Sequence, residues 1–193
     1  MISLEDIAAR VDQLESYNAI TELVSAYAIA CDERDLERLG NLFAENAEFD
    51  SYNGAMKAIG RKAITDVFIE TFKNRGPAYH WTHDNLIRFD EGDRGKASGL
   101  VLSHAETTLD GIVNQAAMKY HDVYCRVDGI WRFAKRTIHY LYYVPVTEFA
   151  NSLNNTERVY ADGIAGPADY PENLETWQSY EREHRGSKDS SGQ

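Results

Sequence analysis

NQAAMKYHDVYCRVDGIWRFAKRTIHYLYYV, residues 114–144, decides the fold class. Two runs rich in Tyr, Val, Ile and Phe flank Asp128-Gly129, a dipeptide suited to the positive φ angles of a two-residue hairpin turn. They read as long antiparallel strands. Upstream, KASGLVLSHAETTLDG (96–111) reads as strand and turn, and EGDRG (91–95) is another turn. Before it, a period of two places Trp81, His83, Asn85, Ile87 and Phe89 on one side of a strand, with Thr82, Asp84, Arg88 and Asp90 on the other.

Nearer the N-terminus the period is helical. Leu4, Ile7, Ala8, Val11 and Leu14 recur at spacings of three and four, and Ile20, Leu23, Val24 and Tyr27 resume the stripe, as one helix or as two joined near Ser16. Ser3 with Asp6 resembles a capping box. A second helix is expected from about Asp35 to Ala44, and a short strand at AEFDSY (47–52), ended by Asn53-Gly54. A third helix follows Gly60, with Ile64, Val67, Phe68 and Phe72 on its buried face and Gly76-Pro77 as its stop. Helices followed by a run of antiparallel strands make an α+β domain, a curved sheet with helices against one face. After about Val146 the periodicity fades. Loop-like segments follow, with a short helix expected around Leu174 to Glu183 and disorder in the last eight residues. There are no internal repeats.

The 193 residues suit one domain, residues 1–146, with a partly irregular extension at 147–193 expected to cover the cavity or a subunit interface. Thirty-one acidic residues against 20 basic give a net charge of −11, which argues against nucleic-acid and anionic-membrane partners. No apolar run approaches the roughly 20 residues of a membrane span. MISLEDIAAR lacks the order of an export signal, and Cys31 and Cys125 are the only cysteines, so a cytoplasmic chain with free thiols is the expectation.

YHWTHDN (79–85) holds two of the six histidines. Three apart on a strand, His80 and His83 point to opposite faces, and no metal-binding motif accompanies them, so no metal is expected. Phosphate-loop and serine-nucleophile motifs are absent, and both cysteines read as inert. Acid–base chemistry remains. Alternation puts His83 with Trp81, Ile87 and Phe89 on the side expected to face inward, and His80 on the polar side, at the surface or rim. Taken alone, His83 is either a satisfied core histidine or a base. Tyr27 and Asp32 can meet one cavity if the first helix ends there. Arg136 shares a face with Ile138 and Tyr140, where it either polarises a departing group or snorkels to solvent.

LVSAYAIACDERDLERLGNLFAENAEFD, then Gly-Arg and a helix, then a His/Asn strand, then DGIWRFAKR, together resemble the SnoaL-like branch of the NTF2-like superfamily over about residues 5–145. The resemblance implies a cone in which a strongly bent antiparallel sheet wraps the N-terminal helices around an apolar cavity. It also implies an Asp–His base dyad, here Asp32 and His83, assisted by Tyr27 and Arg136. In many relatives the histidine stands four residues before the Asn, a place held here by Trp81, while His83 stands two before Asn85. His104 is a substitute or companion base. Trp81, Asn85, Tyr52, Tyr120 and Tyr140 are candidate substrate contacts.

The activity so implied is that of a cofactor-independent lyase acting on a small hydrophobic substrate, aromatic or polycyclic, by elimination of water or by C–C cleavage such as deformylation. A homo-oligomer, trimeric by analogy, is expected. A non-catalytic binding or assembly module, or an isomerase or epoxide hydrolase on the same cone, are the alternatives.

Overall fold

In a computed structural model, which describes residues 2–52, 54, 56–161 and 163–185, the first helix is continuous. α1 spans Leu4–Glu33, opened by the Ser3–Asp6 capping box and closed by Arg34 in the left-handed region at φ 57°. Its first turns extend past the core, leaving Leu4, Ile7, Val11 and Leu14 exposed; from Ile20 onward the stripe is buried. The second helix, α2 (Leu36–Asn41), is shorter than expected, because Phe43 already opens β1 (Phe43–Ser51). β2 (Lys57–Ile59) and α3 (Arg61–Lys73) follow. The expected Asn53-Gly54 turn includes Asn53, which lies outside the described residues, as do the last eight.

Gly76-Pro77 does not end α3. The helix stops at Lys73, and both residues already belong to β3 (Arg75–Phe89). β4 (Lys96–Leu109), β5 (Ile112–Val127) and β6 (Ile130–Pro145) complete the main sheet. Asp110-Gly111 and Asp128-Gly129 make its tight turns, each with positive φ at both residues. The order is β2-β1-β6-β5-β4-β3. Neighbouring strands are antiparallel except β1 and β6, which run parallel.

Bulges bend this sheet. On β3 the register steps from Thr82↔Ser103 to Asn85↔Val101, three residues against two, so β3 carries one extra residue at His83-Asp84. Another step near the start of β3 separates Arg75↔Leu109 from Ala78↔Thr107. On β6, Tyr140 and Tyr142 face consecutive residues of β5, Met118 and Ala117. Leu141 is therefore the extra residue, and Tyr140 and Tyr143 both turn inward. The curved, unclosed sheet wraps α1 and α3, with an aromatic centre where Tyr27 meets Phe43, Phe68, Tyr120 and Phe133 edge-on.

Beyond β6 the chain is more ordered than its periodicity suggests. α4 (Phe149–Ser152) leads to β7 (Glu157–Ala161), which runs parallel to β6 and antiparallel to β8 (Ile164–Pro167); α5 (Glu175–Tyr180) follows. Arg158, almost fully buried, ties the extension together through the Leu141 and Tyr170 carbonyls and a bidentate pair with Glu172. No helix among the described residues is long and apolar enough to cross a membrane.

Candidate active site

The concave side of the sheet and the inner faces of α1 and α3 enclose a cavity of about 70 Å3, widening to about 700 Å3 of unfilled space when its mouth is included. Phe49, Phe68, Phe72, Met118 and Ile138 give it an apolar wall, and Tyr27, Tyr120, Tyr140 and Tyr143 add hydroxyls. None of the described residues after Tyr143 lines it.

Asp32, in the last turn of α1, holds a histidine there, and that histidine is His80. The His80 Nδ1 lies 2.6 Å from one Asp32 carboxylate oxygen, and the His80 backbone N–H donates to the other at 2.8 Å. Both side chains are about one-fifth exposed. Two anchors on one carboxylate fix the rotation of the imidazole. A carboxylate facing Nδ1 selects the tautomer that keeps its proton there and leaves the Nε2 lone pair free.

His83 is on the other side of the sheet. Its Nε2 lies 2.5 Å from His104 Nδ1, with the rings stacked at 4.7 Å between centroids, and both side chains exposed. Trp81 is also outside, 52% exposed, its indole N–H donating to Glu106. The expected facing was inverted, and the reason is the bulge. Counting back from Phe89 and Ile87 by twos crosses the extra residue at His83-Asp84, so upstream of it Ala78, His80 and Thr82 face inward. The same residue lengthens the His–Asn interval: His80 stands five before Asn85, the spacing of four implied by the resemblance plus one. Asp, poorly suited to mid-strand positions, was the one signal of the break.

Asn85 does face inward, but both atoms of its amide are buried without a partner, and it does not line the cavity. Tyr52 lies on the outer face, stacked on His139 at 4.7 Å. Tyr27, Tyr120 and Tyr140 are in the cavity wall, as expected. Burial pushes the phenols of Tyr120 and Tyr140 well up, Tyr140 to about 12, so these are neutral O–H groups able to donate.

Arg136 is fully buried behind that wall. It makes a bidentate pair with Asp122 at 2.8 and 2.7 Å, and Tyr124 donates to the same carboxylate at 2.8 Å. The rings of Tyr27, Tyr120 and Phe133 cover its guanidinium at 4.1–4.3 Å. So placed, Arg136 shapes and charges the floor beneath Tyr27 and Tyr120 and does not itself line the cavity. Cys31, next to Asp32, is a free thiol pushed up to about 12 chiefly by burial, which makes it a poor nucleophile. Among the described residues no three His, Cys, Asp or Glu side chains are grouped to hold a metal ion. The residues that sequence reasoning missed are His80 itself, and Arg34 and Arg75 at the mouth. Arg34 closes α1, and Arg75 opens β3 where the third helix was expected to continue to Gly76-Pro77.

A bent sheet wrapped around helices, with a cavity on its concave side and a carboxylate-held imidazole in the cavity wall, defines a protein of the cone class. The chain belongs to the SnoaL-like domain family, whose model matches residues 12–137. It is 27% identical over 143 residues to gamma-hexachlorocyclohexane dehydrochlorinase of Sphingobium indicum, covering 70% of this chain and 87% of that one. The crystal structure of LinA superposes with a TM-score of 0.67 at 25% identity, over 71% of this chain and 93% of the other. A scytalone dehydratase-like protein of Novosphingobium aromaticivorans shares the fold, with a TM-score of 0.65 at 20% identity over 81% of this chain and 99% of its own. An NTF2-like protein from the same organism superposes at 0.60 and 24% identity over 73% and 92% of the two chains. The curated relative is a dehydrochlorinase, so the comparison supports lyase-type activity at the level of the family.

Proposed function

We propose that this protein is a cofactor-independent lyase in which Asp32 and His80 form the general-base pair for elimination from a small, mostly apolar, ring-bearing substrate. The observation that carries this reading is the 2.6 Å contact between His80 Nδ1 and Asp32 inside the cavity, with the second carboxylate oxygen tied to the His80 backbone. The free Nε2 takes a proton from a substrate carbon. The electrons of that C–H bond form the new double bond, and hydroxide or halide leaves from the neighbouring carbon. Asp32 stabilises the imidazolium while it exists, and the proton later leaves with the departing group or to water. A positioned base of this kind contributes on the order of 10²–10⁴ in rate.

Neutral phenols suit the other half of the reaction. Tyr27, Tyr120 and Tyr140 donate toward charge developing on the leaving atom. Arg136, paired with Asp122, acts behind Tyr27 and Tyr120 as the positive end of a buried ion pair stacked on both rings. C–C cleavage would use the same base on a hydroxyl proton; the family comparison with dehydrochlorinases favours elimination across a C–H bond.

The reading is tested by incubating the protein with a panel of hydroxylated and halogenated ring compounds, with mass spectrometric detection of products lighter by water or hydrogen halide. Asp32→Asn is expected to lower the rate on any converted compound by 10² or more while leaving the fold intact by circular dichroism. Undiminished turnover by the folded variant would refute the dyad.

A further inference from the structure

We infer that Arg75, with the Tyr143 hydroxyl and Thr107, forms an anion-receiving subsite in the cavity, and that the substrate carries a carboxylate seated there. This rests on the cavity being the substrate site and deepens that reading by naming a substrate class.

Arg75 opens β3 and lines the cavity. Its Nε is buried without a hydrogen-bond partner, and among the described residues no carboxylate pairs with it. Its only side-chain hydrogen bond there is a long one, Nη1 to the Tyr143 hydroxyl at 3.4 Å, beside a cation–π contact of 5.8 Å to the same ring. The Tyr143 hydroxyl in turn sits 2.8 Å from Thr107 Oγ1. An unpaired, partly desolvated guanidinium in an apolar wall is a costly arrangement unless an anion completes it, and the guanidinium fork matches a planar carboxylate.

The charge balance of the cavity points the same way. The chain carries −11 overall, yet among the described residues the cavity lining holds two arginines, Arg34 and Arg75, against one carboxylate, that of Asp32, which His80 already occupies. Arg34 donates to the carbonyls of Arg75 and Gly76, bracing the backbone that presents Arg75. The field of Arg75 reaches Cys31 and Tyr140, opposing the upward push that burial gives both. A ring acid would thus place its carboxylate on Arg75 at the mouth and its ring against Phe68, Phe72 and Met118.

The test measures binding by isothermal titration calorimetry, so it does not depend on turnover. A series of ring carboxylates from benzoate to 2-naphthoate is compared with the corresponding neutral amides. Wild-type protein is expected to bind at least one carboxylate tenfold or more tightly than its amide. Arg75→Met should abolish that preference and His80→Gln should keep it. Absence of a preference across the whole series in wild type, or its survival in folded Arg75→Met, overturns the inference. Turnover separates this from the lyase reading: an Arg75-dependent preference with His80→Gln fully active would remove the base assignment and leave the subsite standing. Loss of activity in His80→Gln with no preference in wild type would do the reverse.

Discussion

Arg136 and Asp122 are the deepest charges among the described residues, with side-chain exposures of 1% and 0%. A buried ion pair of this kind contributes little net stability over an apolar replacement, but removing one partner strands the other. Arg136→Met is therefore expected to cost about 3–5 kcal/mol in urea unfolding, and Arg136→Met with Asp122→Leu to recover much of that loss. Equal destabilisation by the single and double variants would show that Asp122 is not the partner that matters. Tyr27 was legible on the helical stripe and Tyr140 on a strand face with Ile138; Asp32 could meet the cavity only where the first helix ends, and its role came from the family resemblance. Arg136 was legible on the face of Ile138 and Tyr140, with snorkelling to solvent left open, but its engagement was not, since Asp122 lies on a different strand and nothing local marks the pair.

At the scale of elements, β3 shows where period-two reasoning stops. The hairpin about Asp128-Gly129 and the strand partners β4 to β6 follow directly from alternation and turn chemistry. The facing of His80 and His83 does not, because a single extra residue reverses every side chain upstream of it. Deleting Asp84 should therefore be tolerated: Thr82 and Asn85 keep their partners Ser103 and Val101, His83 alone spans the outer position, and His80 still faces Asp32. The deletion is expected to shift stability by only about 1 kcal/mol and to retain activity. A variant that unfolds, or that folds and loses activity, would show that the bulge itself positions the site. The same blindness hid Arg75, which follows a helix whose end was misplaced by Gly76-Pro77.

Across the whole molecule, the extension after β6 pairs β7 with the end of that strand and lays Tyr170 on the outer face, and none of its described residues lines the cavity. Tyr170 packs against His121 and His139, and Tyr52 from the end of β1 stacks on His139 from its own side. Burial, with His121 beside it, holds His139 down to about 4. A histidine whose folded pKa lies below its unfolded value near 6.5 makes the unfolded state the better proton binder. Stability is thus expected to fall as pH drops from about 6.5 toward 4, and His139→Phe, which keeps an aromatic stack, should flatten that slope in urea midpoints taken at pH 7.5 and 5. An unchanged slope would place the sensitivity elsewhere.

The claim that joins fold to chemistry is that His80, and not His83, is the imidazole that Asp32 holds in the cavity. Initial rates of His80→Ala and His83→Ala on one compound that the wild type converts test it most directly. The account predicts a loss of 10² or more for His80→Ala and a rate within about threefold of wild type for His83→Ala. A collapse of activity in His83→Ala with His80→Ala near wild type would contradict it.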